Sequence, residues 1–183
     1  MHNLSLAKFS YYVLVASFLI GCQSMFTPDP DGDLAAVPFV DIDRFMGDWF
    51  VIAAIPTRTE SEAFNAVESY SLNDDGSIAT VYAFRKGGFE GKLKRYTPTG
   101  FIADSRSNAV WTMQFIWPFR WDYRVIYLTR DYRHTIIGRQ ARDYVWIMSR
   151  EPTVSDSDYK EMVAFLGAVG YRTDRLRRVP QRW

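Results

Sequence analysis

The chain has 183 residues, with 22 Lys and Arg against 21 Asp and Glu. That length suits one domain with a core of its own, and the balanced charge gives no global argument for nucleic acid as a partner. Cys22 is the only cysteine, and His2 and His134 are the only histidines, which excludes an intramolecular disulfide, a His/Cys zinc centre and a Cys–His dyad beyond the first residues.

Residues 1–8 carry one charge, Lys8, and Phe9 to Ile20 is a mostly apolar run of 12 residues. Such a run matches the core of a signal peptide and falls short of the ~20 residues a spanning helix needs. Leu19-Ile20-Gly21-Cys22 closes it and resembles the lipoprotein box of bacteria. That resemblance implies a leader over 1–21, cleavage before Cys22, and a lipidated Cys22 that ties the chain to a membrane. Several acyl chains at ~0.8 kcal/mol per buried methylene make such an anchor effectively permanent. Gln23 follows in place of Asp, as in lipoproteins sorted to the outer membrane, and the periplasmic side is the expected one.

Pro28, Asp29, Pro30, Asp31, Gly32 and Asp33 break regular structure, so 22–39 reads as lipidated N-terminus and tether, and 40–183 as the folded domain. Residues 40–46 read as a short helical turn. Gly47 then turns the chain into a strand over about 48–55, where Trp49 opens an apolar run that ends at Pro56. Glycine is free to take φ > 0, and tryptophan brings a large ring whose N–H needs a partner. Strands over about 65–72 and 77–85 flank Asn73-Asp74-Asp75-Gly76, a hairpin turn. A strand over about 91–103 is interrupted near Pro98 and there bends or lies at an edge, because a central strand excludes proline. Next, Trp111, Met113, Phe115 and Trp117 alternate with Thr112, Gln114 and Ile116, and Pro118 ends the strand. Strands over about 122–129, 133–138 and 143–149 follow. After Pro152, Ser155 or Ser157 can cap a helix over about 156–169, with Met162, Val163, Phe165, Leu166 and Val169 as its apolar stripe and Gly170 as its stop. Residues 171–183 read as a basic tail. The pattern predicts a mostly β fold: an eight-stranded antiparallel up-and-down barrel with one C-terminal α-helix packed outside.

Two stretches carry a family resemblance. Phe45-Met46-Gly47-Asp48-Trp49 and Tyr144-Val145-Trp146-Ile147-Met148-Ser149-Arg150 together resemble the lipocalin family, in which an Arg after the last barrel strand packs over the ring of Gly-x-Trp. Asp122-Tyr123-Arg124-Val125-Ile126-Tyr127-Leu128 and Asp131-Tyr132-Arg133-His134 add to it, in the order of the bacterial lipocalins that are outer-membrane lipoproteins. The resemblance runs from about Val40 to Val179. It implies Gly47, Trp49 and Arg150 as a structural motif, with a guanidinium stacked on an indole.

If Trp49 points inward, period two points Val51, Ala53 and Ile55 inward as well. The matching inward sets are Tyr82 and Phe84; Trp111, Met113 and Phe115; Tyr123, Val125 and Tyr127; and Tyr144, Trp146 and Met148. This lining is apolar with a few phenols, which suits an acyl chain with a polar head near the mouth. The same alternation would equally fill a solid core; the resemblance is what implies a pocket, for a fatty acid or a lysophospholipid. One departure stands out. Bacterial lipocalins commonly read Trp-Tyr-Glu-Ile-Ala where this chain reads Trp49-Phe50-Val51-Ile52-Ala53, so a carboxylate is missing at Val51 and the interior is more apolar.

The leading expectation is thus a lipid-binding envelope lipoprotein that stores or carries fatty acids or lysophospholipids. Its alternatives are a structural lipoprotein with a filled barrel and a lipid-modifying enzyme on the same scaffold. No paired carboxylates or activated nucleophile stand out. No catalytic residue, cofactor or metal ligand is therefore expected, and a homodimer is left open.

Overall fold

The structure is a computed structural model and describes residues 32–183. The leader, Cys22 and most of the tether lie outside the described residues. A short helix, α1 (Ile42–Phe45), is capped by the Asp41 side chain and leads into β1 (Gly47–Ile55). There follow β2 (Ala63–Leu72), β3 (Ile78–Lys86), β4 (Lys92–Tyr96), β5 (Thr99–Ile102), β6 (Val110–Ile116), β7 (Phe119–Leu128), β8 (His134–Gly138) and β9 (Val145–Ser149). Neighbours pair antiparallel, and β9 pairs back onto β1, so the barrel is closed. It has eight walls, because β4 and β5 are two halves of one, both paired with β3 and parted at Thr97-Pro98. Pro98 has no N–H to give to a ladder, which places the break there. Helix α2 (Asp156–Ala168) starts at its Ser155 cap and lays Met162 and Leu166 on Ile52, Ala53, Ile136 and Ile147 outside the barrel.

Two bulges decide which side chains face inward, since an inserted residue reverses the phase beyond it. In β1 the register shifts between Val51 and Ala53. Trp49, Val51 and Ala54 therefore lie inside, whereas Ala53 and Ile55 lie under α2. In β7 it shifts between Val125 and Tyr127. Val125 stays inside, while Tyr127 turns out, packs its ring at a tilt against Phe165 and donates its hydroxyl to Glu161 at 2.9 Å. The inward positions expected for Ala53, Ile55 and Tyr127 are corrected accordingly. A further correction concerns the hairpin at Pro118. It is tight, and β7 begins at Phe119, three residues before the strand read from the sequence.

Both ends of the domain are pinned more firmly than their composition implies. Leu34 is 1% exposed, Val37 N–H donates to Val125 O, and Arg142 Nη2 donates to the carbonyl of Gly32 at 2.9 Å. Residues 32–39 thus pack on the barrel wall and are not a free tether. At the other end, β10 (Arg177–Arg178) pairs with Ala53 and Ala54 of β1. β1 and β2 pair only over Gly47 to Phe50. The tail fills the gap above: Val179 N–H donates to Ile52 O, and Gln181 Nε2 donates to the carbonyls of Val51 and Ala66. Carbonyls left open where two strands diverge must be satisfied somewhere, and the basic tail does this as part of the wall.

Candidate ligand-binding cavity

The end of the barrel at Gly47 is plugged. Trp49 is fully buried and its Nε1 donates to Phe45 O at 2.9 Å. The Phe45 ring meets Trp49 at 5.1 Å and Trp111 edge-on at 5.5 Å, and Tyr70 packs against both Phe45 and Trp111. Arg150 lies across the outside of this plug, 3.8 Å from the Trp49 ring centre. Burial holds its guanidinium below the usual range, with the Asp48 charge opposing. Gly47 sits at φ +92°, and a Cβ there would stand 3.4 Å from Arg150 Nη1, so the sharp entry into β1 needs glycine.

Above the plug the barrel holds a cavity of about 490 Å³, within the usual range for small-molecule pockets. It opens among the loops at 56–62, 115–121 and 139–144. Tyr82, Met113 and Trp146 line its walls, and Phe115 stands at its mouth. Tyr123 and Tyr144, also read as inward from the sequence, line it too. The other pocket expectations are corrected. Val51, Trp111, Val125 and Met148 face the interior but belong to the packed lower half. Phe84 is packed between the Tyr82 and Tyr96 rings, behind the lining. Ala53 and Tyr127 face α2.

The cavity also holds two carboxylates that the sequence reading passed over. Ala66, Glu68 and Tyr70 share the inner face of β2. Their alternation with Val67 and Ser69 was the available signal, masked because a lone Glu in a strand reads as solvent-facing. Glu68 is 7% exposed. Burial, and then the charge of Glu60, push its carboxyl up to about 8, while hydrogen bonds from Tyr70 and Tyr123 work the other way. The Tyr70 and Tyr123 hydroxyls bond to one another, and burial pushes both phenols well above their usual range. Glu60 accepts from Trp146 Nε1 at 3.0 Å and from Thr57 Oγ1 at 2.8 Å, and burial raises it as well. Asp122 and Arg139 complete the charged lining. Asp122 is held by Arg124 at 2.9 Å, and Arg139 by Asp143 at 3.2 Å. The Arg139 Nε is buried without a hydrogen-bond partner among the described residues.

An antiparallel barrel plugged at one end and open at the other onto an aromatic cavity has the form of a binding protein for small apolar molecules. Residues 40–181 match the model of the lipocalin-like domain. The chain is 31% identical over 172 residues to the outer membrane lipoprotein Blc of Citrobacter freundii, covering 92% of this chain and 93% of that one. It is 32% identical over 169 residues to Blc of Escherichia coli K12, covering 91% and 92%. To temperature-induced lipocalin-1 of Arabidopsis thaliana it is 31% identical over 160 residues, covering 81% and 83%. The protein belongs to the lipocalin family. Insecticyanin of the tobacco hornworm Manduca sexta shares the fold at a TM-score of 0.63 and 16% identity, over 81% of this chain and 84% of that one.

Proposed function

We propose that the protein is a membrane-anchored lipid-binding lipocalin that stores or carries single-chain lipids, fatty acids or lysophospholipids, for upkeep of the cell envelope. The observation that carries this reading is the cavity of about 490 Å³, walled mainly by aromatic and apolar side chains, above a sealed base. The family is one of binding proteins, which supports a carrier over an enzyme. Two relatives are outer membrane lipoproteins by name. With the Leu19–Cys22 stretch, this supports a lipidated Cys22 at an outer membrane, and our reading places the protein on its periplasmic side.

The path of the chain adds an orientation. Gly32 is held by Arg142 in the turn between β8 and β9, at the mouth of the barrel. Cys22 lies ten residues further back, a reach of roughly 35 Å when extended. On the same rim stand Phe115, Ile116, Trp117 and Phe119, all exposed, with Arg120 next to them in the chain. Aromatic and aliphatic side chains mixed with a base suit a bilayer surface. In this reading the mouth faces the membrane and lipid passes directly between bilayer and cavity. Native mass spectrometry after mild detergent extraction tests the function: a co-purifying single-chain lipid is expected, and a bare protein that takes up no added lipid points to a purely structural lipoprotein.

A further inference from the structure

Lipid binding alone leaves the two buried carboxylates without a role. Glu68 projects into the cavity from the middle of β2. It is faced by Glu60 from the 56–62 loop, Tyr82 from β3, Tyr123 from β7 and Tyr70 on its own strand. None of the ion pairs among the described residues involves Glu60 or Glu68. Arg139 lines the cavity and pairs through Nη1 with Asp143, and Arg124 behind the lining pairs with Asp122. Around the two glutamates stand the rings of Tyr82, Tyr123 and Trp146.

Where Glu68 and Glu60 are ionised, a fatty-acid carboxylate in this place would meet like charge and lose its water. An ammonium would gain both acids and the faces of the rings. We propose that the cavity selects amphiphiles with an ammonium head, seated against Glu68 and Glu60 among these rings, with the alkyl chain on Met113 and Phe115 toward the mouth. The ammonium can come from a simple alkylamine or from the amine of a zwitterionic lysophospholipid. This inference rests on the lipid-binding reading and narrows it, turning the preference away from free fatty acids.

Proton linkage gives it a signature. In the empty barrel Glu68 is neutral below about pH 8. An arriving cation stabilises the charged form, so binding expels a proton. Affinity for a permanent cation therefore rises with pH up to that value and levels off above it, whereas affinity for a carboxylate does not rise.

Octyltrimethylammonium and octanoate carry the same chain and neither titrates between pH 6.5 and 8.5. They are measured by calorimetry against the full chain held in nanodiscs, with empty nanodiscs as the blank. The ammonium probe is expected to bind about tenfold tighter than octanoate at pH 8.5, a difference of roughly 1.4 kcal/mol. Its affinity should climb severalfold from pH 6.5, and its heat should depend on the buffer because a proton is released. Glu68→Gln should fold, since Gln resembles the neutral acid of the empty barrel, and should lose both the pH dependence and most of the preference. Glu60→Gln should weaken the preference in part. Octylphosphocholine as a third probe identifies the source: tighter than octyltrimethylammonium, it indicates a lysophospholipid headgroup, and weaker, a simple amine. Octanoate binding as well as the ammonium, or an unchanged Glu68→Gln, overturns the inference. If octanoate and lysophospholipid bind without an ammonium preference, lipid binding stands and only this inference falls. If no probe binds, the lipid-binding reading itself fails.

Discussion

Arg150 holds its guanidinium 3.8 Å from the centre of the Trp49 ring while its terminal nitrogens donate to the carbonyls of Arg44, Phe45, Met46 and Asp48. One side chain thus covers the barrel base and satisfies the open carbonyls where α1 turns into β1. A planar fork can stack and donate at once, which a lysine cannot.

This geometry sets the first prediction. Trp49→Ala empties the plug, and deleting a large buried aromatic costs ~3–5 kcal/mol. Arg150→Ala leaves carbonyls that water can partly reach, so roughly 1–3 kcal/mol is expected. The double variant should lose less than the sum, because the two side chains share a contact, and Arg150→Lys should recover little. Urea denaturation of the four proteins measures the cycle; strict additivity would break the link between the two residues.

A second prediction uses the phase of β6. Met113 is buried and lines the cavity, while Gln114 points outward opposite Thr99 of β5. Met113→Arg puts a guanidinium into the cavity, where it either stays unpaired or pairs with the acids that a ligand would use. Lipid displacement of a fluorescent probe should weaken by about tenfold or more. Gln114→Arg should bind like the parent, because one step along a strand changes the face. Equal binding by the two variants, both shown folded by circular dichroism, would move the pocket elsewhere.

The strands, the closing helix and the plug were legible because each has a local cause. Gly47 with Trp49, the Asn73–Gly76 turn, the alternation from Trp111 to Phe115 and the Ser155 cap all act within a few residues. The family resemblance added the pairing of Trp49 with Arg150, which local patterns cannot supply. What failed depends on contacts distant in sequence. A bulge is invisible to period two, so Ala53 and Tyr127 were placed on the wrong face. The height at which packing gives way to cavity depends on how Phe45, Tyr70 and Trp111 meet. Composition likewise made the tail look free, although Gln181 completes the wall between β1 and β2.

Glu68 makes stability fall with pH. Its carboxyl is raised from the ordinary range to about 8 in the folded protein, so the folded state holds a proton that the unfolded state has given up. The contribution is fully present below the unfolded pKa, near 4.5. It is lost as pH rises toward 8, by roughly 1.4 kcal/mol per unit at most, and is flat above. Glu68→Gln should remove that slope and leave the variant more stable than the parent at pH 9, as read from urea midpoints at pH 6 and pH 9. Parallel pH profiles would mean that Glu68 is ionised and solvated in the fold.

The last prediction concerns which end of the barrel meets the bilayer. Trp117, at the tip of the β6–β7 hairpin, is 82% exposed, with Phe119 next to it on the mouth rim. The Asn73–Gly76 turn marks the opposite end, joined to the base through the pairing of Gly47 with Tyr70. An environment-sensitive dye placed at Phe119→Cys or at Asp74→Cys reports on each end in the anchored chain. An acylated Cys22 takes no dye, so a second label on the chain would show that the anchor itself is absent. In vesicles of phosphatidylethanolamine and phosphatidylglycerol, the dye at position 119 should shift to the blue and be quenched by doxyl-labelled lipids. The dye at position 74 should stay water-like, because Asp74 is exposed and far from the rim. A blue shift at 119 without quenching would place the hairpin against a second copy of the chain. Quenching at 74 alone would turn the barrel over and leave its mouth facing water.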